Sequence, residues 1–178
     1  MKSIFNVLMT LIKKNYLGNV RYARSLGVTI GEDCRIIETR FGSEPWLITI
    51  GNKVTITSGV RLLTHDGATW LINDQKGRRE RFAPVHICNN VFIGSNAIIM
   101  PGVKIEDNVI VAAGSVVTKS IKKGSIVGGN PAKVIGSFDS YKKKALETYT
   151  SKQDMDYTLN FRDRIDKVVD KNFKKFLE

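Results

Sequence analysis

Residues 87–122 read ICNNVFIGSNAIIMPGVKIEDNVIVAAGSVVTKSIK, and this stretch repeats with a period of six. Stepping by six from Ile87 reaches a β-branched aliphatic residue every time: Ile93, Ile99, Ile105, Val111 and Val117. The position four residues after each of these is small or aliphatic: Val91, Ala97, Val103, Val109, Ser115 and Ile121. A helix repeats every ~3.6 residues and a half-buried strand every ~2, so neither produces this spacing.

The spacing predicts a coil of short parallel strands. Each six-residue segment forms one side of a triangular prism, so three segments, about 18 residues, complete one turn. The apolar positions point inward, and strands of successive turns pair at about 4.8 Å. Turn-forming residues fall between the sides, where the corners need them: Gly94–Asn96, Pro101–Gly102, Glu106–Asn108 and Ala113–Gly114. The predicted fold class is all-β, a single-stranded parallel β-helix.

The same phase begins earlier in the chain, with two interruptions. Ile30 and Ile36 form one piece, and Ile50, Ile56 and Leu62 form another. The step from Ile36 to Ile50 exceeds two periods by two, and the step from Leu62 to Ile87 exceeds four periods by one. These steps predict insertions near 38–47 and 66–84. Insertions in a solenoid leave from one face, often the binding face, so we expect the two loops to lie close together.

The two ends of the chain differ from the repeat in composition. Residues 1–26 predict an N-terminal helical cap, residues 27–137 the β-helix, and residues 138–178 a helical extension. In the extension, apolar residues recur at helical spacing and predict an amphipathic tail: Phe161, Ile165, Val168, Val169, Phe173 and Phe176.

The charge and composition of the chain limit the kinds of partner that we expect it to bind. The formal net charge is +11, but the basic residues are spread along the chain, and no nucleic-acid-binding motif accompanies them. We therefore expect no nucleic acid partner. The densest basic cluster is Lys76, Arg78, Arg79 and Arg81, for which an acidic glycan, the phosphates of a cofactor and simple solvation all stay open. The apolar segment Ile4 to Ile12 is about half of what a membrane span needs, which predicts a cytoplasmic protein and leaves contact with a membrane surface open.

His65 is the candidate catalytic residue. Counting on from Leu62, Asp66 would fall on an inward, apolar position, where an unpaired carboxylate costs several kcal/mol. The chain must therefore leave the coil there, and His65 lies at the rim beneath a loop that could cover substrate. The other histidine, His86, lies in the strand that restarts the coil. With two histidines and no Cys/His motif, the sequence predicts no metal site.

Three stretches together resemble the hexapeptide-repeat acetyltransferases: residues 91–103, 112–119 and 129–135. Within that superfamily the chain is similar to the galactoside, maltose and xenobiotic acetyltransferases. Residues 41–45 and 63–67 are most similar to the O-acetyltransferases of surface-polysaccharide synthesis. The resemblance covers about residues 25–137. It implies a left-handed β-helix, a homotrimer with sites between prisms, and acetyl-CoA as co-substrate.

The resemblance also implies roles for individual residues. His65 matches the histidine that accepts the proton of the acceptor, and Phe92 matches an aromatic position beside it. Beside the resemblance, the sequence itself offers two carboxylates that could orient His65, Asp66 and Glu44, and a backbone carbonyl could serve instead. The remaining matches hold the pantetheine arm, the phosphates and the nucleotide end of acetyl-CoA: Gly94, Ser95, Ala113, Thr118, Lys119 and Lys133.

The resemblance implies an acetyl-CoA-dependent O-acetyltransferase acting on a hydroxyl of a sugar or surface-polysaccharide precursor. An imidazole that titrates near neutral pH suits the base, and a backbone N–H near Ser95 suits the oxyanion. Neither cysteine is placed to form an acyl-enzyme, so we expect direct transfer. Two alternatives stay open. The same fold could act on an amino-sugar, an antibiotic or another small acceptor, and a non-enzymatic β-helix scaffold would need no acetyl-CoA.

Overall fold

A computed structural model describes residues 18–37 and 39–176. Within them, short strands wind into three mainly parallel sheets that form the sides of a prism. The first sheet contains β1 (Thr29–Ile30), β4 (Ile48–Ile50), β9 (Val85–Ile87) and β12 (Lys104–Ile105). The second contains β2 (Arg35–Ile36), β5 (Thr55–Ile56), β10 (Val91–Ile93), β13 (Val109–Val111), β15 (Ser125–Gly128) and β16 (Lys133–Ser137). The third contains β3 (Arg40–Phe41), β6 (Arg61–Leu62), β11 (Ile98–Ile99) and β14 (Val116–Val117).

The predicted repeat is confirmed residue by residue. Val91 pairs with Val109, and Ile98 with Val116, so each coil lies three periods after the one before it. Every aliphatic residue in phase from Ile87 to Val117 is buried, and so are its partners from Val91 to Ile121, Ser115 included. The core is therefore one continuous column of aliphatic side chains inside the prism.

The corners are built from residues that accept a left-handed backbone. The non-glycine residues with a positive φ, between 54° and 60°, are Asp33, Lys53, Asn90, Asn96 and Asn108. Asparagine tolerates this conformation better than most residues, and its amide also bonds to the next coil. Asn90 Nδ2 donates to Asn108 Oδ1 over 2.7 Å. The corner polar groups thus find partners without leaving the stack.

The first interruption is the sum of two changes. Ile36 pairs with Ile56 and Phe41 pairs with Leu62, but the step from Ile36 to Phe41 is one shorter than the step between their partners. One residue is therefore missing between β2 and β3. The corner between β3 and β4 is longer than a regular one and contains a short 3-10 helix, Pro45–Leu47. The extra residues lie at the C-terminal end of the predicted 38–47 range.

The second interruption is a folded loop rather than an open one. It contains a 3-10 helix, Gly67–Leu71, and a hairpin of β7 (Asn73–Asp74) and β8 (Gly77–Arg78). Its two stems pair in antiparallel fashion. His65 bridges Phe82, the Asp66 N–H donates to the Arg81 carbonyl over 3.0 Å, and the Ala83 N–H donates to the Thr64 carbonyl over 2.8 Å. The stems are thereby fixed to the coil.

The terminal segments match the predictions in part. Helix α1 spans Asn19–Ser25 and is followed by Gly27, whose φ is 101°. Residues 1–17, with the apolar segment Ile4 to Ile12, lie outside the described residues. The compact units divide between Phe138 and Asp139. In the described part of the chain, no helix is long and apolar enough to span a bilayer.

The C-terminal tail corrects one prediction. Helices α2 (Phe138–Thr148) and α3 (Phe161–Val168) are present, but the predicted helical pattern through Phe176 is wrong, because α3 ends at Val168. Val169 is extended, and the Asn172 N–H donates to the Asp170 side chain over 2.9 Å. This local bond competes with helix continuation, and Phe173 and Phe176 are left exposed.

The neighbours Ile98 and Ile99 test the inward phase. Ile99 is fully buried, whereas Ile98 on the opposite face of β11 is half-buried. We expect Ile99→Ala to lower the free energy of unfolding by about 2–5 kcal/mol, because it opens a cavity in the column. Ile98→Ala should cost roughly 1 kcal/mol or less. Denaturant unfolding of both variants measures the difference, and equal losses would contradict the assigned phase.

Candidate active site

The predicted site residues lie at two corners of the prism. The corner between the third and first sheets, which we call the His65 corner, consists of residues 42–47, 63–84, 100–103 and 118–120. The corner between the second and third sheets, which we call the Ser95 corner, consists of residues 57–60, 94–97 and 112–115. The extra residues of both interruptions lie at the His65 corner, where Glu44 contacts Thr64 and His65, so the two loops lie close together.

Glu44, Thr64 and His65 form the hydrogen-bonded centre of the His65 corner. Glu44 Oε2 accepts from the Thr64 hydroxyl over 2.6 Å and lies 3.0 Å from His65 Nδ1. Thr64 is fully buried, and its bond to Glu44 satisfies the hydroxyl. Gly42 makes this packing feasible, because a Cβ there would lie 2.6 Å from Thr64 Oγ1. The two insertions are therefore joined by one carboxylate oxygen.

The carboxylate of Glu44 is held in its ionised form. The Thr64 hydrogen bond is the largest cause lowering its pKa, and His65 lowers the pKa further, against an opposing effect of burial. The Glu44 side chain is only 14% exposed, whereas that of His65 is 42% exposed. An anchored carboxylate thus lies behind an accessible imidazole.

This arrangement selects one form of the imidazole. A carboxylate can only accept, so Nδ1 of His65 carries the proton that faces Glu44. Nε2 is then left with its lone pair, which is the state required of a general base. The same contact stabilises the imidazolium that forms when Nε2 takes up a proton.

An open cleft lies in front of His65. Its lining comes from the loop stems and from the following coils: Leu63, His65, Asp66, Arg81, Met100 and Thr118. Asp66 lines the cleft, but its carboxylate accepts from the Ala68 N–H over 3.0 Å and caps the 3-10 helix. Of the two carboxylates considered for orienting the imidazole, the one in contact with His65 is Glu44.

Within one protomer, the aromatic ring beside His65 is not that of Phe92. Phe92 is 43% exposed on the outer face of β10, in the second sheet. The ring beside the imidazole is that of Phe82, with ring centroids 6.3 Å apart and planes tilted by 59°. Phe82 itself is 54% exposed.

The residues matched to acetyl-CoA binding are divided between the corners. Gly94, Ser95 and Ala113 belong to the Ser95 corner, whereas Thr118 lines the cleft of His65. A Cβ on Gly94 would lie 2.4 Å from the Ala113 nitrogen, so glycine is needed there for the coils to stack. Ala113 is exposed and leaves the corner surface nearly free of side chains.

Lys119 and Lys133 lie towards the end of the coil. Lys119 lines a second cleft together with Lys122 and Val134, and Lys133 is exposed at the start of β16. Both ammonium groups are therefore accessible to an anionic ligand. Within one protomer, neither shares the cleft of His65.

Metal-ligating side chains are not clustered. Within residues 18–37 and 39–176, no three or more His, Cys, Asp or Glu side chains lie close enough to hold a metal ion. His86 is exposed on β9, where it pairs with Thr49 and Lys104. Cys34 and Cys88 are free and half-buried. The chemistry of this region is that of a carboxylate, a hydroxyl and an imidazole.

Comparison with known proteins places the chain among its relatives. Residues 84–119 match the family model "Bacterial transferase hexapeptide (six repeats)". The chain is 47% identical over 157 residues to Protein CapG of Staphylococcus aureus, covering 85% of this chain and 88% of that protein. The chain belongs to the hexapeptide-repeat acetyltransferase family. It spans 48% and 45% of the lengths of the next two curated relatives that it matches.

Two solved structures extend the comparison. A galactoside acetyltransferase in complex with coenzyme A is 26% identical, with a TM-score of 0.52 over 74% of each chain. The polySia-specific acetyltransferase NeuO is 26% identical, with a TM-score of 0.54, over 66% of this chain and 63% of that one. The predictions of the left-handed β-helix and of an acetyltransferase are confirmed at the level of the family.

Sequence reasoning missed three parts of the site. They are the hydrogen bond between Thr64 and Glu44, the ring of Phe82 and the position of Arg81 in the cleft. All three depend on how the large loop returns to the coil. The sequence offered one signal: the six-residue period is regular before the loop and again after it. The two stems of the loop must therefore start and finish at the same corner of the prism.

The lowered pKa of Glu44 predicts a pH-dependent stability. Ionised Glu44 stabilises the native state above its ordinary pKa of 4.5, and this stabilisation is lost as pH falls through the lower native pKa. We expect Glu44→Gln to unfold more easily than the wild type at pH 7, with the difference shrinking below pH 4.5. Denaturant unfolding across this pH range measures it.

A second background, in which His65 is replaced, separates the effect of the Thr64 hydrogen bond on the pKa of Glu44 from the effect of His65. Because the Thr64 hydrogen bond is the larger of the two stabilising causes, the pH-dependent difference should persist when Glu44→Gln is made in a His65→Ala protein. A difference that stays constant with pH would show that the lost charge is not responsible.

Proposed function

We propose that this protein is an acetyl-CoA-dependent O-acetyltransferase that acetylates a hydroxyl of a sugar or of a surface-polysaccharide precursor. The single observation that carries the proposal is the Glu44–His65 pair, 3.0 Å apart, at the edge of an open cleft. The cleft exposes one imidazole nitrogen, and the carboxylate behind it fixes the tautomer. Membership of the acetyltransferase family supports the acetyl group as the group transferred. The Glu44–His65 pair supports a base that deprotonates the acceptor.

The transfer is direct in this proposal. His65 Nε2 takes the proton of the acceptor hydroxyl while its oxygen attacks the thioester carbonyl, so a C–O bond forms and the carbonyl oxygen becomes an oxyanion. A backbone N–H near Ser95 donates to that oxyanion. The intermediate collapses by breaking the C–S bond, and the imidazolium returns its proton to the departing thiolate. Every proton transfer is accounted for by these groups, so the mechanism includes no metal and no acyl-enzyme.

The base needs the Ser95 corner of another protomer. In one chain, His65 lies at one corner, whereas Ser95 and Ala113 lie at another. A homotrimer with prisms side by side would bring the His65 corner of one protomer against the Ser95 corner of the next. Each cleft would then combine a base from one protomer with a smooth wall from its neighbour, along which the pantetheine arm can lie. The second cleft, which Lys119 lines, and the exposed Lys133 would receive the nucleotide end.

Two observations support a sugar as the acceptor. Phe82 exposes an aromatic ring beside the base, and such a ring suits the apolar face of a pyranose while hydroxyls reach the imidazole. The galactoside acetyltransferase and the polySia-specific acetyltransferase are named for carbohydrate acceptors. We place the reaction in the cytoplasm, where acetyl-CoA is available.

Replacing His65 tests the base. We expect His65→Ala to lower kcat by about 10²–10⁴, the usual contribution of a general base, with little change in affinity for coenzyme A. Release of free thiol from acetyl-CoA in the presence of sugars measures the rate, and calorimetry measures coenzyme A binding. His86→Ala is the matched control, since His86 is exposed on another sheet, and it should keep full activity. Unchanged turnover in His65→Ala would exclude the proposed base.

A mixing experiment tests the shared cleft. His65→Ala removes the base, and Ala113→Trp fills the exposed wall of the Ser95 corner, so each variant alone should be inactive. In trimers assembled at random from equal amounts, about a quarter of the clefts would combine two intact halves. Co-refolded mixtures should therefore regain about a quarter of wild-type activity. Mixtures as inactive as the parents, with trimers demonstrated by sedimentation, would show that each site belongs to one chain.

A further inference from the structure

The charged residues of the large loop are unevenly paired. Arg79 pairs with Asp74, and Arg78 pairs with Glu80 over 3.2 Å while its guanidinium lies 4.7 Å from the centroid of the Trp70 ring. Arg81 forms no ion pair and no side-chain hydrogen bond with any part of the chain that the structure describes. Two of the three arginines are thus occupied within the loop, and the third is available to a ligand.

Arg81 is also the arginine that reaches the cleft. It lies on the returning stem, next to Phe82, and its carbonyl accepts from the Asp66 N–H over 3.0 Å. The residue is exposed and lines the same cleft as His65 and Asp66. Since the neighbouring residue Phe82 bridges His65, the backbone of Arg81 is held close to the base. Arg81 therefore belongs to the same cleft as the base and is within reach of a ligand that contacts His65.

This position does not suit the phosphates of acetyl-CoA. The thioester carbon must come to His65, and the diphosphate is separated from it by the whole extended pantetheine arm. A cation fixed next to His65 meets the reacting end of the donor, which carries no phosphate. The anion that can reach Arg81 during the reaction must therefore belong to the acceptor.

We propose that Arg81 binds a carboxylate of the acceptor, and that the preferred acceptor is an acidic sugar such as a uronic acid. This inference rests on the proposed O-acetyltransferase function. A guanidinium presents two parallel N–H donors that match the two oxygens of a carboxylate, which also fixes the orientation of the sugar ring. Phe82, the next residue on the stem, lies beside the ring of His65. Asp66, on the opposite stem, lines the same cleft, but its carboxylate accepts from the Ala68 N–H and caps the 3-10 helix.

Matched pairs of sugars test the proposal. The probes are methyl glycosides of glucose, galactose and mannose, each compared with its uronic acid at fixed acetyl-CoA. For at least one pair we expect the wild type to show a kcat/KM about 10–100 times higher for the acid, the range of one charge-assisted hydrogen bond. In Arg81→Gln the ratio of acid to neutral sugar should fall to near one, mainly through KM of the acid. The KM of acetyl-CoA should stay within about twofold.

Two further variants sharpen the result. Arg78→Gln removes an arginine of the same loop that is already occupied by Glu80 and Trp70, and it should keep the preference for the acid. Arg81→Glu reverses the charge and should favour the methyl glycoside of the matching amino sugar over that of the uronic acid. Raising the salt concentration should reduce the preference of the wild type, because a single exposed charge pair is screened.

Each result that contradicts these expectations leads to a different conclusion about Arg81 or about the proposed function. Equal use of acidic and neutral sugars by the wild type would overturn the proposal while leaving the acetyltransferase function intact. A rise in the KM of acetyl-CoA in Arg81→Gln would assign Arg81 to the donor, and an equal fall in kcat for both sugars would assign it to the oxyanion. If the wild type binds coenzyme A but acetylates no sugar of either kind, the proposed function itself fails.

Discussion

Every coil of this protein depends on the backbone bonds that it makes with the coils above and below. The strands are two to five residues long and have no stability of their own, so each N–H and C=O must find its partner at a fixed step along the chain. That requirement, together with a column of β-branched side chains, fixes the period. Residues outside the period can only be accommodated at a corner. The catalytic candidates are found where the period is broken, because a broken coil is where polar side chains can leave the core.

The candidate site combines the rigidity of the coil with the reach of the loops. Thr64 is buried at the point where the chain leaves the coil, and its hydroxyl holds Glu44 from the other interruption. Glu44 in turn positions His65, so the imidazole is fixed from behind by groups that solvent hardly reaches. The front of the imidazole remains open to the cleft. One side of the imidazole ring is therefore held in position, and the opposite side is accessible to substrate.

The periodic part of the structure could be predicted from the sequence in detail, whereas the candidate site could be predicted only in outline. Inward positions from Ile87 to Val117 follow from spacing alone, and so does the departure of the chain beyond Leu62, because a carboxylate at Asp66 could not enter the core. The contact between Glu44 and His65 could not be derived, since it depends on a missing residue between β2 and β3 and on extra residues after β3, which partly cancel in the net step. Phe82 and Arg81 were equally hidden, because the pairing of loop stems has no period. The tail beyond Val168 was wrong because apolar spacing ignored the local bond between Asp170 and Asn172.

The closing strand β16 has a consequence for how copies of this protein can associate. A stack of parallel strands offers an edge on which another stack could grow, as in a fibril. Here β16 runs antiparallel on β15 with an irregular register, and the turn before it bonds to β14 through the Gly129 carbonyl and the Ala132 N–H. At the opposite end, Ala23 of α1 is buried against the column. The coil therefore ends in an irregular antiparallel edge on one side and in a packed helix on the other, and neither continues the parallel stack.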